Sequence, residues 1–144
     1  MKADVETRAK AFEKSLEEAG LKYIQRDNNP PVFDLAFGGG DFAYPHVAIY
    51  VCFDEDGESV HVCTSTIASI PKEKIDDMLR LINDLHCRLR WVRFYIDQDR
   101  DLVADADLII DGVYAGAMCT EIVQRTASII DDAYPEIMKV LWSE

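Results

Sequence analysis

Between residues 71 and 111 the apolar side chains change their period, and that change constrains the fold more than any other feature of the chain. Over 71–90, Ile75, Met78, Leu79, Ile82 and Leu85 recur at spacings of three and four, a single stripe along an amphipathic helix. Pro71 suits the first helical position, with Ser69 or Ile70 where the cap belongs. Over 91–97 the period falls to two, as in a half-buried strand. Gln98, Asp99 and Arg100 turn the chain, and a second strand returns over 102–110. Register within this hairpin is restricted, because a one-residue slip would put Asp105 and Asp107 among Phe94 and Ile96. The pairing that avoids the slip keeps Val92, Phe94, Ile96, Leu102, Ala104, Ala106 and Leu108 on one face. Trp91, Arg93, Tyr95, Asp105 and Asp107 then share the other, with Arg93 opposite Asp105.

The flanking segments extend this pattern. A helix is predicted over 4–19, its stripe formed by Val5, Ala9, Phe12, Leu16 and Ala19, with Gly20 in the left-handed position that ends helices. A short strand over 21–26 precedes a turn at Asn28, Asn29, Pro30 and Pro31, since neither proline can donate to a ladder. Phe33, Leu35 and Phe37 mark one face of a strand over 32–37. Gly38, Gly39 and Gly40 end it as a hairpin loop. They lack the spacing and the Lys-Ser/Thr of a phosphate cradle, and Asp41 would repel phosphate. The clearest hairpin joins 46–53 to 59–67, closed by residues 54–58. If Phe53 faces Val60, then Val47, Ile49, Val51, Val60 and Val62 point to the core. Ala48, Tyr50, Cys52, His61, Cys63 and Ser65 point away. A last helix from about residue 117 carries Ile122, Val123, Thr126, Ile129, Ile130, Ala133 and Ile137, with a kink or break expected near Tyr134 because of Pro135. The order of helix, three or four strands, helix, two strands and helix is that of an α+β domain with helices on an antiparallel sheet. A chain of 144 residues suits one such domain.

With 15 basic and 27 acidic residues the formal net charge is −12. Such a surface repels phosphate backbones and anionic headgroups, so nucleic acid and membrane surfaces are excluded as preferred partners. A basic or amphipathic protein segment is the easier match. The N-terminal stretch is a charged helix without the apolar region of a signal peptide. No run approaches the roughly 20 apolar residues of a bilayer span. The four cysteines contain no CxxC pair, and reduced thiols in the cytoplasm are the expectation.

Three functional readings follow from the residues. Cys52, His61 and Cys63 on one face of one hairpin are the sharpest constellation, and a metal- or thiol-dependent enzyme would use them. A structural zinc site wants four ligands, however, and no fourth is predicted nearby. A nucleophilic cysteine wants a base and an oxyanion hole, and the acidic surround is expected to raise a thiol pKa rather than lower it. Asp54, Asp56, Gly57 and Glu58 lack the full pattern of a calcium loop. No catalytic residue, metal ligand or cofactor is therefore assigned. A small-ligand sensor with a pocket between sheet and helices is a further alternative. The remaining unusual surface is Trp91, Arg93 and Tyr95, continuing through Tyr50. These residue types are enriched at protein interfaces, so they are the candidate interface residues of a non-enzymatic protein-binding module.

The stretch over 81–97, LINDLHCRLRWVRFYID, also resembles the signature of the YbjN-like family of bacterial sensory-transduction regulators. That pattern is a helix ending in two Leu-Asn steps, then an arginine- and aromatic-rich strand closing on aspartate. Asn83 matches the first asparagine; His86 stands at the second, and Val92 replaces a common small residue. Tyr134 and Pro135 are similar to the family's last helix. The resemblance implies the fold of type III secretion chaperones, here a twisted antiparallel sheet of five or six strands with three helices, commonly dimeric. Those chaperones are small and acidic and wrap extended segments of client proteins. The resemblance thus implies a chaperone-like adaptor or regulator acting as a homodimer, and carries over no catalytic residues.

Overall fold

The computed structural model describes residues 4–143, so the first three residues of the charged N-terminal stretch lie outside the described residues. Asp4 caps helix α1 (Val5–Glu18), its carboxylate accepting from the Glu6 amide at 3.0 Å. Strands β1 (Ile24–Arg26), β2 (Val32–Phe37), β3 (Val47–Phe53), β4 (Ser59–Thr64) and β5 (Ala68–Ser69) follow. Helix α2 (Ile75–Arg88), strands β6 (Arg93–Ile96) and β7 (Asp101–Ile109), and helix α3 (Ala115–Trp142) complete the chain. All strand pairs are antiparallel.

The sheet has seven strands rather than the five or six expected, and the surplus has a simple origin. The strand predicted over 59–67 ends at Thr64 as β4, and β5 forms separately just beyond it at Ala68–Ser69. Asp105 of β7 pairs with both Cys63 and Arg93, and Leu102 with both Ala68 and Ile96. Strands β4 and β5 must therefore lie end to end on one side of β7, with β6 on the other. At the break, hydroxyls replace carbonyls as ladder partners. Thr64 Oγ1 accepts from the Ala104 amide at 3.0 Å, and Ser65 Oγ from the Ala48 amide at 2.9 Å.

The hairpins take the expected registers, with Phe53 opposite Val60 and Arg93 opposite Asp105. One face of the sheet is thereby apolar: Phe33, Leu35, Val47, Ile49, Val51, Val60, Val62, Phe94, Leu102 and Ala104 are buried beneath the helices. Helix α1 adds Ala9, Phe12 and Leu16, and α2 adds Met78, Ile82 and Leu85. Leu79, expected in the α2 stripe, is exposed. The start of α2 also differs. A 3₁₀ turn (Lys72–Lys74) precedes it, Pro71 lies just outside, and the Ser69 hydroxyl binds Asp101 at 3.0 Å instead of capping the helix.

Two features of α3 depart from the sequence reading. Gly116 lies inside the helix, where it permits the close approach of α1. Pro135 does not break the helix, which runs on to Trp142. An interior proline costs about 3 kcal/mol, but burial of Ala133 and Ile137 on either side of it returns an amount of the same order. The loop after β2 docks on this helix through Tyr44, whose buried hydroxyl donates to the Ala127 carbonyl at 3.1 Å.

Cys119, buried in α3, makes the core sensitive to alkali. Burial pushes its thiol up from 9.0 to about 12, against the opposing pull of Arg8. Between about pH 9 and pH 12 the unfolded chain releases this proton and the folded chain keeps it. This contribution is full below about pH 9 and lost as the pH rises through the folded value, at about 1.4 kcal/mol per pH unit. Urea midpoints measured across that range are expected to fall less steeply for Cys119→Ala than for the wild type; equal slopes would show that this thiol is not the cause.

Candidate functional site: the open face of the sheet

The helices cover one face of the sheet, and the alternate residues of every strand stand on the other. Register places one residue from each position in a row across it: Ile24, Asp34, Tyr50, Cys63, Asp105 and Arg93. A second row runs beside it through Arg26, Val32, Cys52, His61 and Asp107. Polar and apolar groups thus lie on a face that antiparallel pairing leaves open.

At the β6 end, Asp105 is the most deeply set polar group, only 3% exposed. The Arg93 guanidinium covers it with two hydrogen bonds, from Nε and from Nη2, the latter at 3.1 Å. That fork neutralises a carboxylate that burial alone would disfavour. Arg93 also lies 3.8 Å from Asp107, which takes the His61 ring through Nδ1 at 2.8 Å. Tyr95 stands beside this network, 41% exposed. At the β1 end, Arg26 bonds Asp34 at 2.9 Å and lies over the Tyr50 ring, 5.1 Å from its centroid.

Cys52 and Cys63 occupy the middle. They are diagonal neighbours on one face across β3 and β4, which sets one thiol beside the other. The Cys63 thiol brings that of Cys52 down to about 6, aided by His61 and Arg26 and opposed by partial burial. The same contact, together with burial and Asp105, pushes Cys63 up. The expectation that an acidic surround raises a thiol thus holds for Cys63, where Asp105 contributes, and fails for Cys52, where the neighbouring Cys63 thiol of the same hairpin has the largest influence, with His61 and then Arg26 of β1 adding to it. His61, for its part, is engaged by Asp107. Among the described residues, no three His, Cys, Asp or Glu side chains are grouped to hold a metal ion.

The four candidate interface residues are not all brought together. Tyr50, Arg93 and Tyr95 share the open face. Trp91 does not continue β6, because its backbone is left-handed at φ 75°. That turn carries the indole to the edge of the sheet, where it is 55% exposed and lies between Arg90 and Arg125 of α3, 5.1 and 5.3 Å from its ring centroid. The edge of β6 is guarded by α2. His86 Nε2 accepts from the Phe94 amide at 2.9 Å, and its ring stacks on that of Phe94. Sequence reasoning missed two exposed members of the open face, Ile24 at 69% and Ile109 at 79%. The alternation of β7 signalled Ile109, whereas Ile24 needed the β1–β2 register. A groove of about 700 Å³ adjoins Tyr50, lined by Leu21, Tyr23, Ile24, Ala36 and Ala48. It lies at the β1 side; two further grooves, of about 640 and 480 Å³, run between the sheet and α3, the first beside Phe37, Phe42 and Ala127 and the second beside Leu108, Met118 and Ile122.

Comparison with known proteins agrees with this architecture. No curated protein sequence matches the chain. Among solved structures, E. coli YbjN, titled "a putative transcription regulator", aligns with a TM-score of 0.59 at 12% identity, covering 89% of this chain and 92% of that one. The Yersinia pestis type III secretion chaperone SycH, solved with a stable fragment of YscM2, aligns with a TM-score of 0.51 at 16% identity, covering 89% and 98%. Both show the fold, an α+β arrangement of three helices and an antiparallel sheet similar to that of a type III chaperone. The profile of the YbjN family, described as "Putative bacterial sensory transduction regulator", matches residues 9–139, and the chain therefore belongs to the YbjN family.

Proposed function

We propose that this protein is a non-enzymatic protein-binding adaptor or regulator that acts as a homodimer in the cytoplasm. The observation that carries this reading is the open face, which no helix covers and on which Tyr50, Arg93 and Tyr95 stand among exposed Ile24 and Ile109. Aromatic and arginine side chains are the usual anchors of protein contacts. Trp91 extends the surface around the β6 edge towards α3. The net charge of −12 favours a basic or amphipathic segment as the client. The fold shared with a chaperone solved in complex with a protein fragment supports the same class of function.

Sedimentation of the wild type, Tyr95→Ala and Trp91→Ala reads self-association directly. A wild-type dimer is expected, weakened about tenfold or more in at least one variant, the effect of removing an aromatic anchor worth more than about 1.4 kcal/mol. A wild-type monomer would remove the dimer from the proposal, and equal association in all three would remove both residues from the interface. Affinity capture with the same three proteins tests the client: a near-stoichiometric partner retained by the wild type should be lost with Tyr95→Ala.

A further inference from the structure

Two histidines of this protein face opposite kinds of partner. His61 lies against carboxylates, with Nδ1 2.8 Å from Asp107 and Nε2 4.0 Å from Asp105. His86, on α2, faces a donor: its Nε2 lies 2.9 Å from the backbone nitrogen of Phe94 in β6. A backbone amide can only donate, so Nε2 must present its lone pair, and the ring is neutral with its proton on Nδ1. Strand β6 pairs with β7 on one side only, and the Phe94 amide is turned to the other. An unpaired amide there would leave the sheet with an open edge, and His86 closes it. The Phe94 side chain is itself buried, its ring stacked on the imidazole with centroids 6.4 Å apart.

We propose that His86 is a pH-sensitive latch on the outer edge of the sheet, closed by the neutral imidazole and opened when Nε2 takes a proton. Protonation turns the acceptor into a second donor facing the first, so the hydrogen bond is lost and the Phe94 amide is left without a partner. Imidazole is the side chain suited to make this change in the physiological range. The bond exists only with the neutral ring, so its contribution is present at higher pH and lost as the pH falls. The charged groups around the ring do not offset this loss. Among the described residues no carboxylate lies within 4.0 Å of His86 to hold an imidazolium in place. Arg88 of α2 is paired with Asp84 and with Glu136 of α3. Arg93 of β6 is taken up by Asp105 and Asp107, Tyr95 stands with it on the open face, and Arg90 stacks on Trp91. The Phe94 ring attracts an imidazolium, but a ring face offers the amide no acceptor. Opening therefore frees the β6 edge and loosens α2 from it, while the ladder with β7 on the other side is kept. The proposal does not depend on the binding reading, since the latch is built by α2 and β6 alone.

The test is nuclear magnetic resonance on the full-length, nitrogen-15-labelled protein between about pH 7.5 and about pH 5, the range in which imidazoles titrate. Two quantities are read: the ring-nitrogen shifts of His86, and the exchange protection of the Phe94 amide relative to the intrinsic rate at each pH. At the upper end the shifts are expected to show a bare Nε2 and a protonated Nδ1. Protection at Phe94 is expected to fall about tenfold or more as the ring gains its proton, the effect of losing one hydrogen bond. In His86→Asn the side-chain amide oxygen can still accept but does not titrate, so protection there should stay constant within about twofold. His61→Gln, which leaves the latch intact, should retain the wild-type fall. The opposite tautomer at the upper pH, unchanged protection after the His86 ring is seen to be protonated, or an equal fall in His86→Asn would overturn the latch. So would loss of the fall in His61→Gln, which would assign it to the open face. The two wild-type readings must share one midpoint, and separate midpoints overturn the proposal even where a variant folds poorly.

Discussion

Replacing Ile137 with alanine is expected to lower unfolding stability by about 2–5 kcal/mol, the range for removing most of a buried isoleucine. Ile137 has no exposed surface and lies just beyond Pro135 in α3. It therefore holds down the part of the helix that a proline would otherwise free. Chemical denaturation followed by far-ultraviolet circular dichroism checks this. The midpoint should fall, and the native baseline should lose helical signal as the segment beyond Pro135 frays. A change under about 1 kcal/mol, typical of surface sites, would mean that this segment is not anchored by Ile137.

Gly116→Val is expected to destabilise the fold by about 1–3 kcal/mol or more, the cost of forcing atoms into a packed contact. A Cβ at this position would fall against the backbone carbonyl of Ala11 in α1, and backbone cannot rotate away as a side chain can. The 2.7 Å hydrogen bond between Ser15 and Thr120, which ties the same two helices, would be stretched as α1 moved. Helix propensity has the opposite sign, because nearly every residue, valine included, is a better helix former than glycine. Stabilisation by Gly116→Val would therefore show that α1 and α3 do not approach closely here, whereas destabilisation measures that approach.

The two periods of 71–111 were sufficient to place α2, β6 and β7, to set their register and to put Arg93 opposite Asp105. The reason is local: a slip of one residue in that hairpin would have buried Asp107 and exposed Phe94. The first long hairpin was equally legible, so alternation alone assigns Cys52, His61 and Cys63 to one face. The chemistry of those thiols could not. It is modified by Arg26 and Asp105, which stand near the two thiols only because β1 pairs with β2, β2 with β3 and β4 with β7. Such neighbours are remote in the chain and leave no periodic trace in it.

Trp91 shows the same division within a single segment. Alternation assigned its side chain to the face of Arg93 and Tyr95, but a left-handed backbone, which the identity of a tryptophan gives no reason to expect, carried it to α3. Pro135 reads as a helix breaker in isolation, and the burial around it decides otherwise. By itself, then, the sequence determined the element order, the hairpin registers, the polar and apolar faces and the resemblance to a family, because these rest on spacing between near neighbours. Only the tertiary structure decided the β4–β7 pairing, the close contact of α1 with α3, the seat of Trp91 and the charges around Cys52. These depend on which distant segments pack together, and the free energy of that packing outweighs local preference.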